Sequence, residues 1–183
     1  MLAQAGLTFT SQTARIDEAV VKAALLAEQP KPRDIADTLA EMKAQRISVK
    51  QPEALVIGSD QVLDLQGTLL SKPESVEEAR VQLRQLRGQE HRLFSAAVIM
   101  KGGQPQWRHI GQVRLWMRDF SDSYLENYLD RMGEEVTQTV GGYKLEGEGI
   151  RLFSHIEGDY FNVLGLPLME LLTHLTRTGA IEG

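Results

Sequence analysis

The sequence predicts an α/β protein built as a mixed, twisted sheet with flanking helices. Three observations carry that expectation. Residues 54–59 read Ala-Leu-Val-Ile-Gly-Ser, a short apolar run between polar neighbours, as a strand covered on both faces requires. Residues 92–100 and 113–118 lie on either side of Gly102-Gly103, with Val113, Leu115 and Met117 alternating with Arg114, Trp116 and Arg118, the pattern of a hairpin. Longer stretches with apolar residues at helical spacing are interleaved with these strands.

The first helical stretch is residues 14–28. Ile16, Val20, Val21, Ala24, Leu25 and Ala27 give it a stripe expected to lie in the core, and Pro30 and Pro32 end it. Asp34 is placed to cap a second helix, with Ile35, Leu39 and Met42 on one face and an end near Ile47. The strand at 54–59 follows, with Asp60 at its carboxyl end. Ser75-x-x-Glu78 is a capping box: hydroxyl and carboxylate satisfy otherwise unpaired N–H groups of the helix start. That helix carries Val76, Ala79, Leu83 and Leu86, and Gly88 is suited to stop it. After the hairpin, Ser123-x-x-Glu126 repeats the capping pattern ahead of Tyr128 and Leu129. Residues 141–149 are a glycine-rich loop fit for close backbone approach, and residues 150–156 read as a strand. Pro167 opens a last helix with Leu168, Leu171, Leu172 and Leu175 as its core stripe.

At 183 residues the chain has the size of one domain, and its 42% hydrophobic and 25% charged residues exclude whole-chain disorder. A net charge of −5 lacks the electrostatic footprint of a general nucleic-acid binder. The absence of cysteine excludes disulfides, thiolate zinc sites and cysteine nucleophiles. The start, MLAQAGLTFT, has neither a basic n-region nor an apolar h-region, and no stretch reaches the roughly 20 apolar residues of a membrane span. A soluble cytoplasmic protein is the expectation, with no membrane or nucleic-acid partner.

Asp60 is the residue of most chemical interest. A carboxylate at the end of a buried strand stands where open α/β sheets place ligands, and it can hold a divalent ion or act as a base on water. Taken alone, an Asp that caps the next turn explains it as well. Lys72 precedes Pro73 and a helix start and would suit a phosphate there; a solvated surface lysine is the plainer alternative. Asp17 and Glu18 could supply metal oxygens, or simply favour a helix dipole, and Lys43 has the matching alternative at a helix end. Glu146, between Leu145 and Gly147, could receive adjacent N–H donors such as those of a guanine edge. The four histidines show no metal-ligand spacing, and no GxSxG elbow or Walker A sequence is present.

Seven segments occur in order along nearly the whole chain: Asp17-Glu18, MKA around Lys43, VIGSDQVL at 56–63, LSKP at 70–73, LRGQEH at 86–91 with SAAV at 95–98, GGYKLEGEG at 141–149 and IEGDYFNVLGLPL at 156–168. Together they resemble the Maf family of nucleoside triphosphate pyrophosphatases. The resemblance implies an inosine-triphosphatase-like fold with two lobes around a cleft. It implies cleavage of a nucleoside triphosphate between the α- and β-phosphates, with a divalent metal such as Mg, Mn or Co. The family's proton acceptor falls on Asp60, its phosphate-binding lysines on Lys43 and Lys72, and its early acidic position on Glu18, a metal ligand beside Asp60. Whether Asp60 is base, metal ligand or both stays open. Gln61 and Glu146 match the branch resembling 7-methyl-GTP pyrophosphatases, where the dTTP/UTP branch tends to carry Thr and Gln. A carboxylate at Glu146 would accept from guanine N1–H and N2–H₂ and favour a cationic N7-methylated base.

Two departures from the family's pattern stand out. The family's first strand and its Ser-x-x-Arg loop are missing from the single Maf-like domain at 1–183, which leads to the expectation that Met1 is internal and the natural start lies upstream. The Asp-Lys pair that many members carry before the glycine-rich loop is Gln138-Thr139 here. UTP, CTP or dTTP are the alternative substrates. A catalytically weak nucleotide-binding protein, tied to the family's link with septum formation, is the alternative outside enzymology. Family members often form homodimers, and no feature of the sequence itself establishes one.

Overall fold

The computed structural model describes residues 1–26 and 30–182. Its sheet has five strands in the order β2-β1-β3-β4-β5: β1 (Val56–Leu65), β2 (Thr68–Leu70), β3 (Glu90–Lys101), β4 (Gln104–Met117) and β5 (Phe153–Glu157). β1–β2 and β4–β5 are antiparallel pairs, and β3 and β4 are joined through Gly102-Gly103, both with positive φ. The helices are α1 (Glu18–Leu26), α2 (Pro32–Ser48), α3 (Val76–Leu86), α4 (Asp122–Met132), α5 (Tyr160–Val163) and α6 (Leu168–Arg177). The chain divides into two compact units, Met1–Gln61 with Phe94–Gly111 and Asp159–Gly183, and Val62–Leu93 with Gln112–Gly158. Among the described residues no helix is long and apolar enough to cross a membrane.

In the first unit, Ala97 and Ile99 of β3 pack against Leu168, Leu171 and Leu175, the expected stripe of α6, with Leu172 only partly buried. The stripe expected on α1 is displaced. Val20 is 63% exposed and Ala24 is exposed, whereas Glu18, Val21, Lys22 and Leu25 are partly buried. Those four positions also follow helical spacing, and Glu18 is drawn to that side by an ion pair with Lys43. Of the predicted helix, Ala27 and Glu28 lie outside the described residues. Asp17 caps α1 through its Oδ1, which accepts from Val20 N at 3.1 Å. α2 starts at Pro32, so Asp34 sits in its first turn and Lys31 is the N-cap.

The strand predicted to end before Asp60 runs on to Leu65. The polar pair Asp60-Gln61 reads like a terminus, but Val62 and Leu63 beyond it are buried. The turn comes later: Asp64 Oδ1 accepts from Gly67 N at 2.7 Å, and Gln66 and Gly67 both have positive φ.

In the second unit, Ser75 caps α3 by accepting from Glu78 N at 3.1 Å, while Glu78 reaches back to Glu74 N at 2.8 Å. Gly88, with φ of +70°, follows the helix as expected. α4 is capped by Ser121, not Ser123, because the hydroxyl three residues before Tyr124 N belongs to Ser121. Glu126 instead accepts from Arg80 of α3 at 3.0 Å. The strand expected at 150–156 is half 3-10 turn (Glu148–Leu152) and half β5. Gly149 causes this: a Cβ there would lie 2.8 Å from Lys144 N, so the chain must coil tightly against 144 before it extends.

Candidate active site

Two small-residue contacts bring the principal site together. Ala40 and Ala44 of α2 are fully buried, and α2 lies directly on β1 at Gly58. A Cβ on Gly58 would stand 2.7 Å from Ala44 N and 2.9 Å from Ala44 Cβ. Asp60 is two residues further along the strand and therefore shares the face of Gly58. Lys43 precedes Ala44 on the helix, and its Nζ meets Asp60 Oδ1 at 2.6 Å. The same Nζ lies 2.8 Å from Glu18 Oε1. Gly58→Ala is therefore expected to cost about 1–3 kcal/mol by overpacking. It should also part Lys43 from Asp60; a urea midpoint and pyrophosphate release, measured together, check both effects.

Asp60 is only 8% exposed. Its Oδ1 is held by Lys43, and its Oδ2 is buried without a hydrogen-bond partner. Burial pushes its pKa up, Lys43 pulls it back, Glu18 adds to the rise and Lys22 opposes it. Burial pulls Lys43 down, but the two carboxylates prevail and hold its ammonium above the ordinary lysine value. Two carboxylates thus share one ammonium. Glu18, Lys43, Gly58 and Ser59 line a cavity of about 710 Å³ together with Thr8, Thr10, Ser11, Thr13 and Arg15. The orphaned Oδ2 and the second carboxylate are the donor set a hard divalent cation takes when phosphates complete its shell.

Gln61 is turned into the protein. Its Nε2 is shared among Ser95 Oγ at 2.9 Å, Asn162 O at 2.9 Å and Val163 O at 3.0 Å. Ser95 Oγ also donates to Asn162 O at 2.6 Å. These bonds cap the carbonyl end of α5 and tie it to β1 and β3, next to Asp60 in sequence. Gly111 allows this, since a Cβ there would overlap the amide of Asn162, with Nδ2 at 2.6 Å.

Lys72 and Glu146 belong to the second unit. Lys72 is exposed between β2 and α3, in a stretch anchored by Gln82 Nε2 donating to Ser71 O at 3.1 Å. Glu146 is exposed in the turn at 145–147, and among the described residues it makes no ion pair. Its neighbour Glu148 differs: Arg131 donates to it at 2.8 Å and lowers its pKa, so Glu148 is structural. At the foot of this loop His91, 1% exposed, shares a 2.8 Å hydrogen bond with Tyr143 OH, and Tyr128 OH donates to Gly142 O at 3.1 Å.

Against known proteins, a family model described as "Maf-like protein" matches residues 1–178. The chain belongs to the Maf family. Similar proteins include the "Nucleoside triphosphate pyrophosphatase" of Ruegeria pomeroyi, 60% identical over the whole chain and 92% of the relative. That of Caulobacter vibrioides is 50% identical over 99% of the chain and 90% of the relative. A "7-methyl-GTP pyrophosphatase" of Rhizobium etli is 43% identical over the whole chain and 92% of the relative.

In this Maf chain the structure brings Glu18, Lys43 and Asp60 together. Sequence reasoning missed Ser95 and Asn162 as individual residues, and read His91 only as a surface or strand histidine. All three lie inside quoted segments, SAAV, GDYFNV and GQEH, and a polar residue within an otherwise apolar strand or turn was the available signal. It also passed over Arg15, two residues before Asp17-Glu18.

Proposed function

We propose that this Maf protein hydrolyses a nucleoside triphosphate to the monophosphate and pyrophosphate, with 7-methyl-GTP preferred. The observation that carries the reading is Asp60: a buried carboxylate with one oxygen fixed by Lys43 and the other unpartnered, next to a cavity that Lys43 and Ser59 line. The names of its relatives support the general reaction, and the more distant one supports the preference. Lys43 fixes the Asp60 carboxylate and offers positive charge to the phosphates, as Lys72 does by family resemblance. Asp60 Oδ2 accepts a proton from the water that attacks the α-phosphorus. The bond from that phosphorus to the α,β-bridging oxygen then breaks, and pyrophosphate leaves. Asp60 and Glu18 would hold a divalent cation (Mg, Mn or Co), which supplies charge neutralisation at the phosphates.

Base choice is assigned to Glu146 ahead of Gln61, whose amide nitrogen is already engaged by protein acceptors. Glu146→Gln replaces one acceptor with a donor. The ratio of kcat/KM for 7-methyl-GTP over UTP should fall roughly tenfold or more, the value of a charged hydrogen bond. An unchanged ratio would remove Glu146 from the base site. The reaction itself is tested by incubating the chain with each common triphosphate and 7-methyl-GTP, with Mg²⁺ and then Mn²⁺, and separating the products. Pyrophosphate and monophosphate in equal amounts support the proposal; binding without product favours a nucleotide-binding role.

A further inference from the structure

A polyphosphate would bring several negative charges to a cavity with few cations in its own lining. Glu18, Asp60 and Lys43 set two carboxylates against one ammonium. Among the described residues, the cations lining the cavity are Lys43 and Arg15. Lys43 divides its charge between two carboxylates, whereas Arg15 makes no ion pair among the described residues.

The backbone at Arg15 gives a second reason to single it out. Its φ is +43°, and the only other non-glycine residue with positive φ among those described is Gln66, which sits in the tight turn between β1 and β2. A left-handed arginine is uncommon and costs energy, and glycine would adopt the conformation without that cost. The conformation delivers the chain into the Asp17 cap of α1, a task that does not need a guanidinium.

We propose that Arg15 is a phosphate-binding residue of this cavity, its guanidinium taking the polyphosphate chain of the substrate beside the charge that Lys43 divides with Glu18 and Asp60. The inference rests on the pyrophosphatase reading above. A guanidinium presents a planar fork that matches two phosphate oxygens, and its charge persists at every working pH. The hydroxyls of Thr8, Thr10, Ser11 and Thr13 line the same cavity and supply neutral donors beside it.

The test uses Arg15→Gly, which removes the charge and suits the backbone, and Arg15→Lys, which keeps the charge. Calorimetric titration with inorganic tripolyphosphate in Mg²⁺ reads binding without turnover, and steady-state hydrolysis of 7-methyl-GTP and the common triphosphates reads KM and kcat apart. Arg15→Gly should weaken tripolyphosphate binding and raise KM by roughly tenfold to a hundredfold, the worth of a charged hydrogen-bond pair. Its kcat should change much less, and its melting temperature should stay equal or rise. Arg15→Lys should recover part of the affinity. Unchanged tripolyphosphate affinity in Arg15→Gly overturns the assignment while leaving the pyrophosphatase reading intact. Weaker binding accompanied by a lower melting temperature assigns Arg15 to the fold and also overturns it. A wild-type chain that neither binds tripolyphosphate nor releases pyrophosphate from any triphosphate overturns the underlying reading itself.

Discussion

Asp60→Asn is expected to lower pyrophosphate release at least about a hundredfold, because the side chain loses its capacity to take a proton or hold a cation. The substitution is nearly isosteric. The asparagine oxygen can keep the place of Oδ1 on Lys43, which puts the amide nitrogen where the unpartnered Oδ2 now lies. That position needs an acceptor for chemistry and would hold a donor instead. Removing one member of a buried ion pair usually costs about 3–5 kcal/mol, since it strands the other charge. Here the cost should be well below that, because Lys43 retains Glu18 at 2.8 Å and its side chain is 24% exposed. Loss of burial-disfavoured charge at Asp60 offsets part of what remains. The expected result is thus a folded chain, shown by a urea midpoint close to wild type, that binds triphosphate and fails to cleave it. Wild-type pyrophosphate release from Asp60→Asn would move the chemistry to another group.

Much of the fold was legible before the structure, and the reasons differ by residue. Ser75, Gly88 and the α6 leucines act through local geometry, so spacing alone placed them. Lys43 and Asp60 are 17 residues apart in sequence, and their pairing depends on α2 lying on Gly58. No periodicity encodes that contact: Asp60 at a strand end and Lys43 at a helix end could each be singled out, but not paired. The stripe of α1 was misjudged because an ion pair outweighed a marginal apolar pattern: Val20 and Ala24 face solvent while Glu18 and Lys22 are partly buried. The extent of β1 was misjudged for the opposite reason, since a polar pair was taken for an end when tertiary bonds hold both residues within the strand. Clusters such as Gln61, Ser95 and Asn162 are assembled from segments up to 101 residues apart. Single-sequence spacing cannot reveal them.

The second large effect is expected from acid acting on His91. Its ring is buried against Tyr143 and Phe153, with centroids at 5.7 and 5.9 Å, its Nε2 shares a hydrogen bond with Tyr143 OH, and its Nδ1 has no partner. Burial pushes its pKa down from 6.5 to about 4, and the neighbouring Glu90 carboxylate only partly opposes this. The folded chain therefore binds the proton more weakly than the unfolded chain. The contribution of neutral His91 is complete above pH 6.5 and is lost as pH falls from 6.5 to about 4. At about 1.4 kcal/mol per unit the full loss is on the order of 3 kcal/mol, of which about 2 has gone by pH 5. Asp60 acts with the opposite sign, since its raised pKa makes protonation easier in the folded chain. The two separate in a difference measurement. His91→Gln keeps a polar contact to Tyr143 and does not titrate, so it should be less stable than wild type at pH 7 and show a flatter decline toward pH 5. Urea midpoints at pH 7, 6 and 5 for both chains check this, and parallel declines would clear His91. Tyr143 belongs to the glycine-rich loop that carries Glu146, so the same acid range should loosen that loop and erode base preference at Glu146 alongside global stability.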